Sequence, residues 1–186
     1  MALAYMQAGR KDVGFKLLKA DLIDEMYLGG CPANFGQLSY YNGRETYRDF
    51  ADNIGITSRA LVNGLFGIAP DAMNGRCIIK QAFPDEWEEA SIKTPYLCYS
   101  YRREGHYDIY EIEQNFTEPL QMIIRADSGK GAYLEVPGSS EKVQTIIVDR
   151  TKLPKPKVYP ESRLEKDLVS SPRYLHKMGL GEITRD

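Results

Sequence analysis

Residues 96–115 read YLCYSYRREGHYDIYEIEQN and carry the clearest structural pattern in the chain. Apolar and polar side chains alternate over residues 96–102 and 107–115, which is the pattern of half-buried β-strands. Between them, Arg103-Glu104-Gly105 has the composition of a three-residue hairpin loop. This stretch therefore predicts a β-hairpin.

The segments on both sides of this hairpin continue the same period of two. We expect further strands over residues 77–83, 120–126, 133–136 and 143–149, separated by turn signals such as Pro137-Gly138. Short strands at close spacing are typical of an antiparallel sandwich. The sequence therefore predicts a β-sandwich-like domain over residues 71–150.

The first 70 residues have the period of a helix instead. Leu18, Leu22 and Met26 recur at a spacing of four, which predicts an amphipathic helix of about seven turns that ends at Gly29-Gly30. Gly9 and Gly14 are expected to interrupt this helix only mildly.

A second helix is expected to begin near Asp49 or Asp52 and to end at Gly67-Ile68, before Pro70. The predicted fold class is α+β, with two long helices followed by an antiparallel β-sandwich-like domain. Residues 151–186, interrupted by several prolines and richer in basic than in acidic residues, predict an extended C-terminal arm.

Composition excludes several classes of function. With a net charge of −2 over 186 residues, the chain does not resemble a polybasic nucleic-acid binder. No apolar run approaches the roughly 18 residues that a membrane helix needs. Cys31, Cys77 and Cys98 lack the spacing of a metal site or a disulfide framework. We therefore expect no metal, cofactor, nucleic-acid partner or membrane partner.

The segment before the second helix concentrates aromatic and polar side chains. Tyrosines with one apolar face and one hydroxyl suit sugar stacking, although packing onto the core explains them equally well. Two carboxylates at a helix N-terminus can bind polyols or anions, or can simply cap the helix. Asp49 and Asp52 stand three apart, with Cβ atoms about 5–6 Å from each other on one helical turn. One of them acting with an acid from elsewhere is therefore more credible than both flanking one substrate. The candidate catalytic residues are Asp49 and Asp52, and the candidate substrate-binding residues are Tyr40, Tyr41, Tyr47, Arg48 and Asn53.

Two features of the predicted β-domain also have alternative explanations. Tyrosines form a stripe along the hairpin, at positions Tyr99, Tyr101, Tyr107 and Tyr110. The stripe is either a sugar-binding platform with exposed, coplanar rings or a set of buried cross-strand pairs. Asp85 and Glu86 precede Trp87, where a turn anchored by the indole is favoured over a site. His106 is expected at the exposed tip of the hairpin.

Four short motifs follow one another along the chain. Residues 49–55 read DFADNIG, 59–68 read RALVNGLFGI, 83–87 read FPDEW and 90–95 read ASIKTP. This order resembles the end of the catalytic region of bacterial six-hairpin glycosidase-like proteins. Such proteins have an (α/α)6 toroid followed by a C-terminal β-sandwich. The resemblance implies that residues 1–70 form the terminal helical hairpin of the toroid, with the aromatic loop lining its active-site funnel.

The resemblance also implies a function. The chain would be the C-terminal part of a glycoside hydrolase that acts on an oligo- or polysaccharide, and it would be inactive alone because most catalytic carboxylates would lie upstream. One alternative is a non-catalytic glycan-binding module. Another is an interaction subunit whose apolar face of Leu18, Leu22 and Met26 completes an upstream barrel segment or a homo-oligomer. A periplasmic or secreted location would follow if the parent enzyme carries a signal peptide.

Overall fold

The computed structural model of the protein describes residues 1–20, 22, 52–129 and 132–155. Its helices are α1 (Ala2–Gln7), α2 (Lys11–Ala20) and α3 (Asp52–Arg59), and α3 continues as a π-helical segment, Ala60–Leu65. Its strands are β1 (Ile68–Asp71), β2 (Arg76–Ile79), β3 (Glu89–Lys93), β4 (Leu97–Glu104), β5 (Tyr107–Gln114), β6 (Gln121–Gly129), β7 (Ala132–Pro137) and β8 (Val143–Asp149). The described architecture is mainly β, so the expected α+β class with two long helices was wrong.

The first predicted helix is broken within its first ten residues. Gly9 adopts a φ of 78°, in the left-handed region that glycine enters without steric penalty, and its N–H donates to the carbonyl of Met6. This conformation ends α1, and α2 then packs back against α1. Two short helices therefore replace one long helix over residues 1–20. The predicted continuation over residues 23–28 lies outside the described residues.

The strands form two four-stranded sheets. In one sheet, with the order β3-β4-β5-β8, every neighbouring pair is antiparallel. In the other, with the order β1-β2-β6-β7, β2 and β6 run parallel, with Ile79 opposite Ile124. Parallel neighbours require a crossover connection, and here the chain forms β3, β4 and β5 of the opposite sheet between them. The expectation of a wholly antiparallel sandwich was therefore wrong for this sheet.

The hairpin of β4 and β5 is present where its alternation predicted it. Glu104 pairs with Tyr107, so the connection is the two residues Gly105-His106 rather than the three expected. His106 is exposed at this tip, as expected.

One continuous core joins the two sheets to the helices. Its largest fully buried side chains come from both sheets, from the segment between β2 and β3, and from α2. These side chains are Leu18, Cys77, Ile79, Phe83, Leu97, Tyr101, Tyr110, Ile112, Met122, Ile124 and Val148. The helices therefore share a core with the sandwich at the end where β2 and β6 finish.

Candidate functional site

The site residues expected from sequence lie almost entirely beyond the described part of the chain. Tyr40, Tyr41, Tyr47, Arg48 and Asp49 are outside the described residues. Asp52 and Asn53 are the first two residues of α3, which places them at a helix N-terminus. Their proposed roles remain predictions.

The clearest constellation in the described residues is the junction between the helices and the sandwich. Phe66, which follows the π-helical segment, lies edge-on to both Phe83 and Tyr99, with ring centroids 5.2 and 5.9 Å away. Phe83 stacks on Trp87 at 5.8 Å, and Trp87 in turn meets Phe15 of α2 edge-on at 5.4 Å. These rings connect α2, the end of the helical segment and β4 through one aromatic cluster.

Hydrogen bonds fix the backbone at the same junction. The Tyr99 hydroxyl donates to the carbonyl of Phe66 at 2.6 Å, and Asn63 Nδ2 donates to the carbonyl of Ile68 at 2.6 Å. Gly67, with a φ of 68°, lies so close to the neighbouring chain that a Cβ there would be 1.8 Å from the Lys80 carbonyl oxygen. The helix therefore leaves the sandwich in one fixed direction.

A buried polar network lies beside this cluster. The Asp108 carboxylate is 4% exposed and accepts the Tyr101 hydroxyl at 2.9 Å and Arg103 Nε at 3.3 Å. Arg150 Nε lies 3.8 Å from its second oxygen. Arg103 also donates to the Tyr101 hydroxyl and to the backbone carbonyl of Asp85, each at 2.9 Å.

The electrostatics of this network favour a structural role. Burial, and then the neighbouring Asp108 carboxylate, raise the pKa of Tyr101 to about 12, so its hydroxyl keeps its proton at neutral pH. Lys11 of α2 binds the Asp85 carboxylate and lowers its pKa. Because each charge here is paired, the network joins the hairpin, the Pro84–Trp87 turn and α2 without presenting a free acid or base. The expected turn anchored by Trp87 is present, since the N–H of Trp87 donates to the Pro84 carbonyl.

Lys80 joins α1 to the sheet formed by β1, β2, β6 and β7 through an ion pair and a hydrogen bond. Lys80 Nζ lies 2.9 Å from the Asp127 carboxylate and donates to the carbonyl of Gln7 at 2.7 Å. Polar contacts therefore reach the helices from both sheets, which reinforces the shared core.

The described residues contain neither a metal-binding cluster nor a membrane-spanning helix. Among residues 1–20, 22, 52–129 and 132–155, no three His, Cys, Asp or Glu side chains converge in a way that would hold a metal ion. Within the same ranges, the helices are too short or too polar to cross a bilayer.

The tyrosine stripe on the hairpin is mostly buried. Tyr99, Tyr101 and Tyr110 are each at most 2% exposed, and their rings pack against one another at tilted angles. Burial raises the pKa of Tyr99 and of Tyr110 as well. Only Tyr107 of the four is exposed. The stripe is therefore part of the sheet packing, and a sugar platform built from these four rings was the wrong interpretation.

A different pair of aromatic rings lies at the opposite end of the sandwich. Tyr96, between β3 and β4, is 61% exposed, and its ring is nearly parallel to that of Phe116, with an interplanar angle of 6° and centroids 6.1 Å apart. The sequence pattern did not predict this pair, because its two members are 20 positions apart. Their positions next to the ends of β4 and β5 were the available signal, since strand ends of one hairpin meet at one end of a sheet.

An open groove of about 630 Å³ runs between the edge strands β7 and β8. It is lined by the backbone and side chains of residues 136–139 and 143–147 together with Glu141. Gln144 within it already bonds both backbone groups of Ser139, so the groove has few polar groups pointing to a common ligand.

Comparisons with known proteins add no relative. No family model matches the chain, and neither a curated protein nor a solved structure matches it.

Proposed function

We propose that the chain is the C-terminal part of a carbohydrate-active hydrolase, where it contributes substrate contacts and an accessory β-sandwich and does not cleave glycans alone. The observation that supports this is the junction. Two of the four motifs that resemble six-hairpin glycosidase-like proteins meet there: Phe66 of residues 59–68 contacts Phe83 of residues 83–87, and Trp87 of the same motif stacks on Phe83. The contact between these two motifs supports the proposal, because segments that are apart in the sequence pack together at one junction.

The helical segment connects this junction to the residues proposed to contact substrate. Residues 52–65 are helical throughout, so Asp52 and Asn53 lie roughly 20 Å along the helix from the junction. A helix N-terminus offers free N–H groups and the positive end of the helix dipole. In the proposed enzyme, acid/base cleavage passes through an oxocarbenium-like transition state. Asp49 or Asp52 binds a sugar hydroxyl or positions water there.

The test compares two proteins: this chain alone, and the same chain extended upstream by the preceding part of its gene product. We expect glycan hydrolysis only by the extended protein, with a loss of at least about tenfold in Asp49→Ala or Asp52→Ala. Asp12→Ala is the matched control, since Asp12 is an exposed acid in the first turn of α2.

Two results would contradict the proposal. Full activity in both the Asp49→Ala and the Asp52→Ala proteins would leave these acids as helix caps. Hydrolysis by the 186-residue chain alone would show that it contains its own catalytic groups.

The interaction-subunit alternative has lost part of its basis. It required the face of Leu18, Leu22 and Met26 to be free for another chain, yet Leu18 is fully buried and Leu22 is half-buried within this chain, while Met26 lies outside the described residues. The glycan-binding alternative is instead favoured by Tyr96 and Phe116.

A further inference from the structure

The two rings at the helix-distant end of the sandwich have the form of a small binding surface. Tyr96 is one of the most exposed large apolar side chains among the described residues, and Phe116 is half-buried against the core. Their planes differ by only 6°, whereas the packed rings of Tyr99, Tyr101 and Tyr110 are tilted by 43° or more. The two rings are stacked, and a centroid separation of 6.1 Å is too long for full overlap, so part of each apolar face stays uncovered.

The loop that carries Tyr96 is held in place. The N–H of Thr94 donates to the carbonyl of Leu97 at 3.0 Å, and the Thr94 hydroxyl bonds both backbone groups of Leu97, which closes the turn around Tyr96. The carbonyl of Tyr96 itself accepts the N–H of Asn115 at 2.8 Å. The two loops that carry the rings are thereby joined directly.

The loop that carries Phe116 is held by Gln114, whose side chain is buried at the end of β5. Its Oε1 accepts the N–H of Leu120 at 2.9 Å, and its Nε2 donates to the carbonyls of Leu120, Ser140 and Glu141 at 2.9–3.1 Å. A surface fixed before a ligand arrives does not lose loop entropy on binding. This rigidity distinguishes the pair from an incidental exposed tyrosine.

The residues on either side of Phe116 in the sequence are polar and exposed. Asn115, Thr117 and Glu118 are all exposed, so an amide, a hydroxyl and a carboxylate surround the half-buried Phe116 in the sequence. Apolar ring faces beside hydrogen-bonding side chains match a sugar ring. A sugar ring has one face of C–H groups and an equator of hydroxyls that both donate and accept.

We propose that Tyr96 and Phe116 form a platform on which the β-sandwich binds a sugar ring of an oligo- or polysaccharide. The C–H face of the sugar stacks on Tyr96, while its hydroxyls bond the polar side chains of residues 115–118. The platform rests on the proposed function for the class of its ligand. Its position at the helix-distant end of the sandwich makes it an anchoring site, separate from the helix N-terminus where cleavage is proposed.

The test is native affinity electrophoresis of the full 186-residue chain in gels that contain xylan, mannan, hydroxyethylcellulose or pectin. We expect at least one polysaccharide to retard the wild-type chain. Tyr96→Ala should weaken that retardation at least about tenfold, while Tyr96→Phe, which keeps the ring, should stay within about threefold. Tyr107→Ala is the matched control, an exposed tyrosine at the other end of the sandwich, and it should bind as the wild type does.

Two results overturn the platform: no retardation of the wild-type chain by any of the four polysaccharides, or equal retardation of the wild-type and Tyr96→Ala chains. Thermal unfolding of each variant verifies that it is folded, and Tyr96 is exposed enough that its removal should leave the midpoint unchanged. The platform and the hydrolase proposal can fail separately. If binding depends on Tyr96 but the protein extended upstream does not hydrolyse glycans, only the platform is supported. If the extended protein hydrolyses glycans but binding does not depend on Tyr96, only the hydrolase proposal is supported.

Discussion

Tyr101 shows how a polar group is kept inside this sandwich. Its ring belongs to the core and is 1% exposed, yet its hydroxyl has two partners, Asp108 as acceptor and Arg103 as donor. Removing the hydroxyl would leave the buried carboxylate with one donor fewer. Losing a partner of a buried charged group costs about 1–3 kcal/mol.

We therefore expect Tyr101→Phe to lower the free energy of unfolding by about 1–3 kcal/mol at neutral pH, measured by urea denaturation. The pKa of Tyr101 is raised from 10.0 to about 12 in the folded protein, so its hydroxyl loses its proton at a lower pH in the unfolded chain than in the folded one. The stability that this tyrosine contributes is therefore lost as the pH rises from about 10 to 12. The difference between the wild type and Tyr101→Phe should narrow over that range. Tyr107→Phe, at an exposed position, should show no such difference, and parallel curves for wild type and Tyr101→Phe would contradict the assignment.

Gly67 is the residue on which the junction depends most directly. Its φ of 68° is strained for any residue with a Cβ, and that atom would collide with the Lys80 carbonyl. Gly67→Ala should therefore lower the free energy of unfolding by more than about 2 kcal/mol, measured by denaturant or thermal unfolding.

Gly55→Ala provides the matched control for this change. Gly55 is exposed within α3, and a Cβ there meets no atom within 4 Å. The substitution should stabilise the protein by up to about 1 kcal/mol, because alanine favours a helix more than glycine does. If both substitutions changed the free energy of unfolding equally, the close approach of the Lys80 carbonyl would not be the reason that position 67 requires glycine.

At the scale of elements, six of the eight strands could be predicted from their alternation, whereas the edge strands β1 and β3 could not. The alternation of β4 and β5 is strong because large apolar residues point inward and, apart from the paired Arg103 and Asp108, charged ones point outward. β1 contains Pro70 and β3 has no fully buried side chain, so neither shows that pattern. The parallel pairing of β2 with β6 depends on contacts between distant segments, which no local pattern records.

The helix break at Gly9 and the aromatic pair were both missed because neither follows from the period of apolar residues. The period of apolar residues runs through Gly9, and only the backbone angle at Gly9 shows that α1 ends there. Tyr96 and Phe116 become neighbours because Asn115 bonds Tyr96 across the hairpin end. Of the candidate site residues, only Asp52 and Asn53, at the start of α3, lie within the described residues.

The loops beyond β5 depend on a single side chain. Gln114 bonds Leu120, Ser140 and Glu141, so Gln114→Leu would leave the Leu120 N–H and three carbonyls without that partner. We expect a loss of about 1–3 kcal/mol in unfolding free energy and faster hydrogen exchange at the Leu120 amide. Gln121→Leu is the control, since Gln121 is exposed and makes one long contact of 3.5 Å. Unchanged exchange at Leu120 in Gln114→Leu would contradict this role.

At the scale of the whole molecule, the shared core predicts that the helices and the sandwich unfold together. Leu18 of α2, Leu65 and the inner faces of both sheets belong to one contiguous cluster. Trp87 is the only tryptophan in the sequence and lies between Phe15 of α2 and Phe83, so its fluorescence reports on this junction. Far-ultraviolet circular dichroism reports on secondary structure throughout the chain. A two-state domain gives the same midpoint with both probes.

We expect the two midpoints in urea to coincide for the wild type and to fall together in Phe15→Ala, with a loss of about 1–3 kcal/mol for the half-buried ring. Ile56→Ala, at an exposed position in α3, should leave both midpoints in place. A fluorescence midpoint that falls while the circular dichroism midpoint stays would mean that the helices undock from an intact sandwich. In that case the junction would be a hinge, and the fixed direction of α3, on which the placement of Asp52 relative to the sandwich depends, would have to be abandoned.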